Sequence, residues 1–299
     1  MGSQLAPGDD RRPAARPATG RRVELPSHGG VALAATWREP ATAARGVAVI
    51  APAMGVPARY YDAFAEHLAD RGIASLAFDY RGFGASLQGP LKDVRATGLD
   101  WGGDAAAALE AGSGLAESLG VPLTWIGHSL GGQLLAFTDH ARLDRVLLVS
   151  SGNGWWGTAT WRMRWHAWLT WYAAWPFTWL WGYFPGRTIR LFTDLPSGPF
   201  RQISYWCTRR DFFLAQRPDL RARLAAVTAP TAIVSVTDDE LLAESAFRWI
   251  EGLLSGTSPE WVRLDPATEG VRRLGHHGIF RRDRQAVWDR HLLPRIATT

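Results

Sequence analysis

The sequence predicts an α/β protein, a mostly parallel sheet covered by helices on both faces and interrupted by an aromatic-rich insertion. Three observations predict it. Short apolar runs such as Val47 to Ala51 and Ala74 to Tyr80 alternate with stretches of helical spacing, and parallel strands need crossover connections of about a dozen residues or more. Glycine-containing turns separate the runs from the stretches that follow. Finally, Gly127-His128-Ser129-Leu130-Gly131-Gly132 lies directly between the apolar Leu123 to Ile126 and the helix-forming Gln133 to Phe137. That strand, sharp turn and helix is the setting in which a G-x-S-x-G match becomes a nucleophile elbow. Small residues on either side let strand and helix approach closely, and the first N–H groups of the helix can face a developing negative charge.

Each element follows in order. Residues 1–21 begin Met1-Gly2-Ser3-Gln4 and continue through Pro, Ala, Arg and Gly without an apolar signal segment, so a disordered tail and a cytoplasmic location are expected. Val23 to Leu25 and Val31 to Thr36, separated by Ser27-His28-Gly29-Gly30, read as a hairpin, and Val47 to Ala51 as a buried strand. Pro52-Ala53-Met54-Gly55 supplies the turn before an amphipathic helix from Tyr60 to Leu68. Ala74 to Tyr80 is the next strand, Arg81 to Ser86 a glycine-rich loop, and Leu99 to Leu119 a long alanine-rich helix stopped by Gly120. Arg145 to Ser151 is a further strand. The rhythm then breaks. Residues 153–213 are dominated by aromatics, including Trp155, Trp156, Trp161, Trp165, Trp168 and Trp171. It resumes at Thr231 to Val236, with a helix near Glu244 to Leu254, a strand near Trp261 to Leu264 and a helix after Arg284. The expected organisation is a core of residues 22–152 and 214–299 with residues 153–213 as a cap over the strand ends.

Composition bounds the function. With 299 residues, 46% of them hydrophobic, one large domain can bury a sizeable core. The formal charge of +5 would suggest nucleic acid if it formed a patch with interleaved aromatics, but the arginines are scattered and Lys92 is the only lysine. The lone Cys207 excludes an internal disulfide and leaves a metal without thiolate partners, and no cofactor is expected. His166 to Phe184 carries no formal charge and is long enough to span a bilayer. Pro176 within it, and Trp and Tyr throughout rather than in belts at its ends, favour a cap or interfacial helix, with contact to a membrane surface left open.

With the elbow, Asp79-Tyr80-Arg81-Gly82-Phe83-Gly84 and Gly275-His276 in hand, the chain resembles the α/β-hydrolase superfamily over roughly residues 22–297. A bacterial branch of predicted serine hydrolases is the nearest likeness, through Pro52 to Gly55, Gly182-Tyr183-Phe184-Pro185-Gly186, Asp238-Asp239 and Gly275 to Arg281. Two positions depart from it: many relatives have His-Gly where this chain has Pro52-Ala53, and proline where it has Ala243. In this fold the members of the triad run Ser, Asp or Glu, His. A serine hydroxyl is a weak nucleophile at neutral pH and needs an imidazole to take its proton and an acid to orient that imidazole.

Ser129 is the expected nucleophile. The acid belongs after a strand that follows the elbow, and Thr231 to Val236 ends in Thr237-Asp238-Asp239-Glu240 whereas Arg145 to Ser151 ends in Gly152-Asn153-Gly154. Asp239 is preferred to Asp238 because its spacing to the following helix matches the family pattern; spacing alone does not separate His276 from His277, and the Gly-His resemblance favours His276. His128 is expected to be structural. The resemblance also implies oxyanion donors at the backbone N–H groups of Met54 and Leu130. The implied activity is cleavage of a carboxylic ester of a small or apolar substrate through an acyl-enzyme. An acyltransferase with the same triad, a membrane-surface lipase-like enzyme and a non-catalytic binding relative are the alternatives. Because the insertion follows a strand whose carboxyl end is near Ser129, its tryptophans are expected either to wall the substrate or to form the cap's own core.

Overall fold

The structure, a computed structural model, describes residues 20–188 and 193–299. The expected tail therefore lies outside the described residues, apart from its last two positions. The chain opens with an antiparallel pair, β1 (Arg21–Pro26) and β2 (Ala32–Arg38). β3 (Gly46–Ala51), α1 (Asp62–Ala69), β4 (Ile73–Phe78), α2 (Gly98–Leu119) and β5 (Leu123–His128) then alternate. After β5 come α3 (Leu130–Gln133), which tightens into a 3-10 turn, and β6 (Arg145–Val149). The insertion holds α4 (Arg164–Ala173), α5 (Trp175–Trp181), a ribbon of β7 (Tyr183–Phe184) and β8 (Leu195–Pro196), and α6 (Ser197–Cys207). α7 (Leu220–Ala225), β9 (Thr231–Val236), α8 (Glu244–Leu253), β10 (Glu260–Leu264) and α9 (Gln285–Val287) follow, the last continuing into a π turn.

Eight strands form one sheet in the order β1-β2-β4-β3-β5-β6-β9-β10. β2 pairs antiparallel with β4, and every pair from β4 onward is parallel. All residues of β3, β4, β5 and β9 are buried, which is why these strands read as continuous apolar runs. Successive side chains of β3 feed opposite layers. Val47 and Val49 belong to the layer of Trp101, Ala105 and Leu109 from α2, while Ala48 and Ile50 belong to that of Phe64 and Leu68 from α1. The Thr97 hydroxyl accepts the Asp100 N–H and the Asp100 carboxylate accepts the Thr97 N–H, a reciprocal cap that starts α2 where its sequence allows.

The long uncharged run of the insertion does not form one helix. α4 stops at Ala173, and Pro176, which has no N–H to give, falls in the first turn of α5. No helix among the described residues is long and apolar enough to cross a membrane. The insertion's interior is aromatic: Phe184 stacks on Phe200 with centroids 3.7 Å apart, and Trp171 lies 5.9 Å from Phe200.

Candidate active site

Parallel pairing on both sides carries β5 to the middle of the sheet and ends it at its carboxyl edge, where Gly127 faces Ala51 of β3 and Leu148 of β6. The next residue, Ser129, turns the chain with φ 51° and ψ −115°, a backbone that non-glycine residues rarely adopt. Neighbouring strands hold it there. The Ser129 N–H donates to the Val149 carbonyl at 2.9 Å, and the Ser151 hydroxyl donates to the Ser129 carbonyl at 2.7 Å. The turn can be this tight because of its glycines: a Cβ on Gly131 would run into the Ala51 carbonyl, and one on Gly127 into the backbone of Gly132.

The fold brings Ser129, His276 and Asp239 into one hydrogen-bonded line. His276 Nε2 lies 2.9 Å from Ser129 Oγ, and His276 Nδ1 lies 2.8 Å from Asp239 Oδ2. Asp239 and His276 are both buried. The second carboxylate oxygen of Asp239 accepts the N–H groups of Leu241 and Leu242 at 2.8 and 2.9 Å, which fixes the carboxylate in one orientation. With the carboxylate accepting from Nδ1–H, the lone pair of Nε2 points at the serine hydroxyl.

The alternatives occupy other places. Asp238 accepts the Leu274 and Gly275 N–H groups at 3.0 and 2.9 Å, so it holds the loop that carries His276. Glu240 adds to that hold by accepting the His276 N–H at 3.0 Å. The His277 ring stands at right angles to His276, its Nδ1 is buried without a partner, and burial together with the neighbouring imidazole pushes its pKa down to about 4. His128 is fully buried in a relay of single hydrogen bonds. The Ala53 N–H donates to the Tyr61 hydroxyl at 3.0 Å, that hydroxyl donates to His128 Nδ1 at 2.7 Å, and His128 Nε2–H donates to the His276 carbonyl at 3.0 Å. Burial, and then the nearby imidazoles, hold His128 well below its ordinary pKa, in keeping with a neutral ring. This relay ties the β3 loop, the elbow and the His276 loop to one another. Its member Tyr61 carries no local motif that would have singled it out, and Asp238, a rival for the acid in the sequence, is instead a loop clamp together with Glu240.

His128, His276 and His277 have ring nitrogens within 4.8 Å of one another, the only such cluster of possible metal ligands among the described residues. Both nitrogens of His128 and both of His276 are already engaged in the contacts above, which leaves no convergent set of lone pairs for an ion. Above Ser129 is a cavity of about 220 Å³. Met54, Leu130 and His276 form its floor with Ser129, and the N–H groups of Met54 and Leu130 have no hydrogen-bond partner among the described residues. Met163, Ala167 and Trp171 of the insertion wall it on one side, Ile203 and Cys207 on another, and Leu241 and Leu242 close it; among the described residues no carboxylate, lysine or arginine lines it. Burial pushes the Cys207 thiol up, so it is a neutral wall residue.

The tryptophans divide three ways where two were expected. Trp155, Trp156 and Trp171 line the cavity, and Trp206 is packed inside the insertion. Trp161, Trp165 and Trp179 face outward, 74%, 76% and 72% exposed.

The family model of serine aminopeptidases of the S33 type matches residues 42–185. No curated protein matches the sequence. Among solved structures, a soluble variant of the Saccharomyces cerevisiae monoglyceride lipase, in complex with a substrate analogue, is similar with a TM-score of 0.63. It is 16% identical, and the match covers 99% of this chain and 100% of that one. The Pyrococcus furiosus esterase matches with a TM-score of 0.60 at 15% identity, over 93% and 92% of the two chains. A thermostable carboxyl esterase from Bacillus coagulans, in complex with glycerol, matches at 0.57 and 12% identity, over 82% of this chain and 90% of that one. At such identities the likeness is one of fold.

Proposed function

We propose, from the family-model match over residues 42–185 and the shared α/β-hydrolase fold, that the chain is a serine hydrolase that cleaves carboxylic esters with an apolar acyl group through an acyl-enzyme. The observation that carries this reading is the continuous line from Asp239 through His276 to Ser129 at 2.8 and 2.9 Å, ending on a hydroxyl held at the floor of an apolar cavity. His276 Nε2 takes the proton as Ser129 Oγ attacks the ester carbonyl, and Asp239 stabilises the imidazolium that forms. The unpartnered N–H groups of Met54 and Leu130 are the donors for the oxyanion. His276 then returns the proton to the leaving alkoxide. Water then attacks the acyl carbonyl as His276 takes its proton; the bond to Ser129 Oγ breaks, His276 returns the proton to Ser129 Oγ, and the carboxylic acid leaves.

The lining bears on the substrate. A free peptide amino terminus is a cation and needs a buried carboxylate partner, and among the described residues none lines this cavity. An acyl chain needs only apolar surface. Each methylene buried should contribute about 0.8 kcal/mol, or about fourfold in kcat/KM, until the cavity is full. The test is a series of p-nitrophenyl esters of rising acyl length with amide and lactone controls, alongside fluorophosphonate labelling of Ser129. A rise over several carbons followed by a fall supports the reading. A flat profile, a preference for charged acyl groups, or labelling that survives Ser129→Ala would overturn it.

A further inference from the structure

α4 is apolar on both sides. Met163, Ala167, Thr170 and Trp171, three and four residues apart, turn toward the cavity, while Trp165, Leu169 and Tyr172 between them are 76%, 55% and 49% exposed. α5 repeats the pattern with Trp179 and Leu180, 72% and 75% exposed. Apart from Leu119, every strongly exposed large hydrophobic side chain of the described residues falls within residues 161–181. These side chains touch one another, as the rings of Trp165 and Trp168, Trp168 and Tyr172, and Phe177 and Trp181 do. A helix that is apolar all round requires cover on all sides, and a contiguous exposed patch of this kind marks an interaction surface.

The charge around the patch identifies the cover. Residues 161–181, which carry the patch, contain Arg162 and Arg164 and no aspartate or glutamate. Arg162 and Arg164 are exposed and have no carboxylate partner among the described residues. Arg201 adds a guanidinium 5.5 and 5.8 Å from the rings of Trp175 and Trp179. A second copy of this chain would set the exposed Arg162 and Arg164 against the same two guanidinium groups, with no carboxylate within residues 161–181 to offset them. A lipid surface suits the patch in both respects. Indoles sit at the headgroup level with an apolar face inward and an N–H outward, and guanidinium groups pair with lipid phosphates.

We propose that the α4–α5 face docks on the surface of a bilayer containing anionic phospholipid, lying on it and not crossing it. Docking does not depend on the ester-cleaving reading. That reading adds a consequence, that the cavity is supplied from the bilayer, because His166 both lines the cavity and is exposed on this face.

The experiment is co-sedimentation of the full chain with vesicles of phosphatidylcholine alone and of phosphatidylcholine mixed with phosphatidylglycerol. The wild type should bind the mixed vesicles at least about tenfold more tightly, and less so as salt rises. Trp165→Ser combined with Trp179→Ser should weaken that binding by about tenfold or more with an unchanged melting temperature, since both side chains are solvated in the free protein. Arg162→Gln with Arg164→Gln should remove the preference for the anionic vesicles. Ser129→Ala should bind as the wild type does, which separates this inference from the catalytic one. Three outcomes would overturn the proposal: no binding of the wild type to either vesicle, equal binding by the tryptophan variant, or a concentration-dependent dimer that the tryptophan variant abolishes.

Discussion

The sheet and the insertion are both rich in apolar residues, yet they use them differently. In the sheet, a helical layer on each face covers every side chain of β3, β4, β5 and β9. Buried charge in this region is also tied down: Arg81 donates to Asp104 through its side chain and its backbone N–H, and Ser27 donates to the same carboxylate. In the insertion, α4 has a neighbour on one side only, and its remaining apolar side chains meet solvent. Burial is thus decided by the number of covering layers, not by hydrophobicity alone. The consequence for function is a division of work. The sheet fixes atoms to within hydrogen-bond distance, and the insertion provides a surface and a volume.

Changes in the sheet-borne line should therefore cost orders of magnitude. Ser129→Ala should lower kcat on the best ester by roughly four orders of magnitude or more, with no further loss when His276→Ala is added, because residues acting as a unit are not additive. Asp239→Asn should lower kcat by roughly a thousandfold or more by favouring the wrong imidazole tautomer, while Asp238→Asn should cost only about tenfold through a loosened loop. Steady-state kinetics of the two variants decide between them. A larger loss from Asp238→Asn than from Asp239→Asn would reverse the assignment.

The contrast also explains what was legible in the sequence. Strand and helix periodicity marked the sheet because each β-element answers to two fixed faces, and the elbow was visible because Gly127 and Gly131 leave no room for a Cβ. The order Ser, acid, His nominated residues that the fold joins through hydrogen bonds. Spacing to the following helix favoured Asp239 over Asp238 only through the family pattern, because adjacent residues share a loop and which of them meets the imidazole depends on side-chain direction. The relay of Tyr61 and His128 was hidden for a different reason. It joins residues 67 and 148 positions apart, and no local pattern reports so distant a pairing. In the insertion, periodicity failed because inward and outward faces of α4 are both apolar.

Beneath the elbow, the neutral imidazoles make a prediction about pH. An unfolded histidine takes up a proton near pH 6.5, whereas burial holds His277 down to about 4 and His128 well below its ordinary value. A depressed pKa contributes stability that is complete above about pH 6.5 and is lost as pH falls toward the folded value. His277 accounts for at most about 3 kcal/mol of that loss. Thermal melts from pH 7 to pH 4.5 should show the wild type losing stability steadily, and His277→Gln a shallower decline. Parallel declines would mean that His277 is already charged in the native state.

The smallest effect is expected from the cavity wall, where a change should alter which substrate is used more than how fast the chemistry runs. Ile203 of α6 is buried and lines the cavity, but it makes none of the hydrogen bonds that align Ser129 and His276. Ile203→Phe adds volume that only the cavity can take without moving α6. Short acyl groups never reach it. Their kcat/KM should stay within about twofold, while the longest acyl group the wild type prefers should lose about tenfold, equal to one or two methylenes that no longer find room. A melting temperature close to that of the wild type must accompany this split, since a shifted α6 would lower both. A uniform loss across the ester series at unchanged stability would show that the added ring disturbs the reacting atoms and that the acyl chain lies elsewhere.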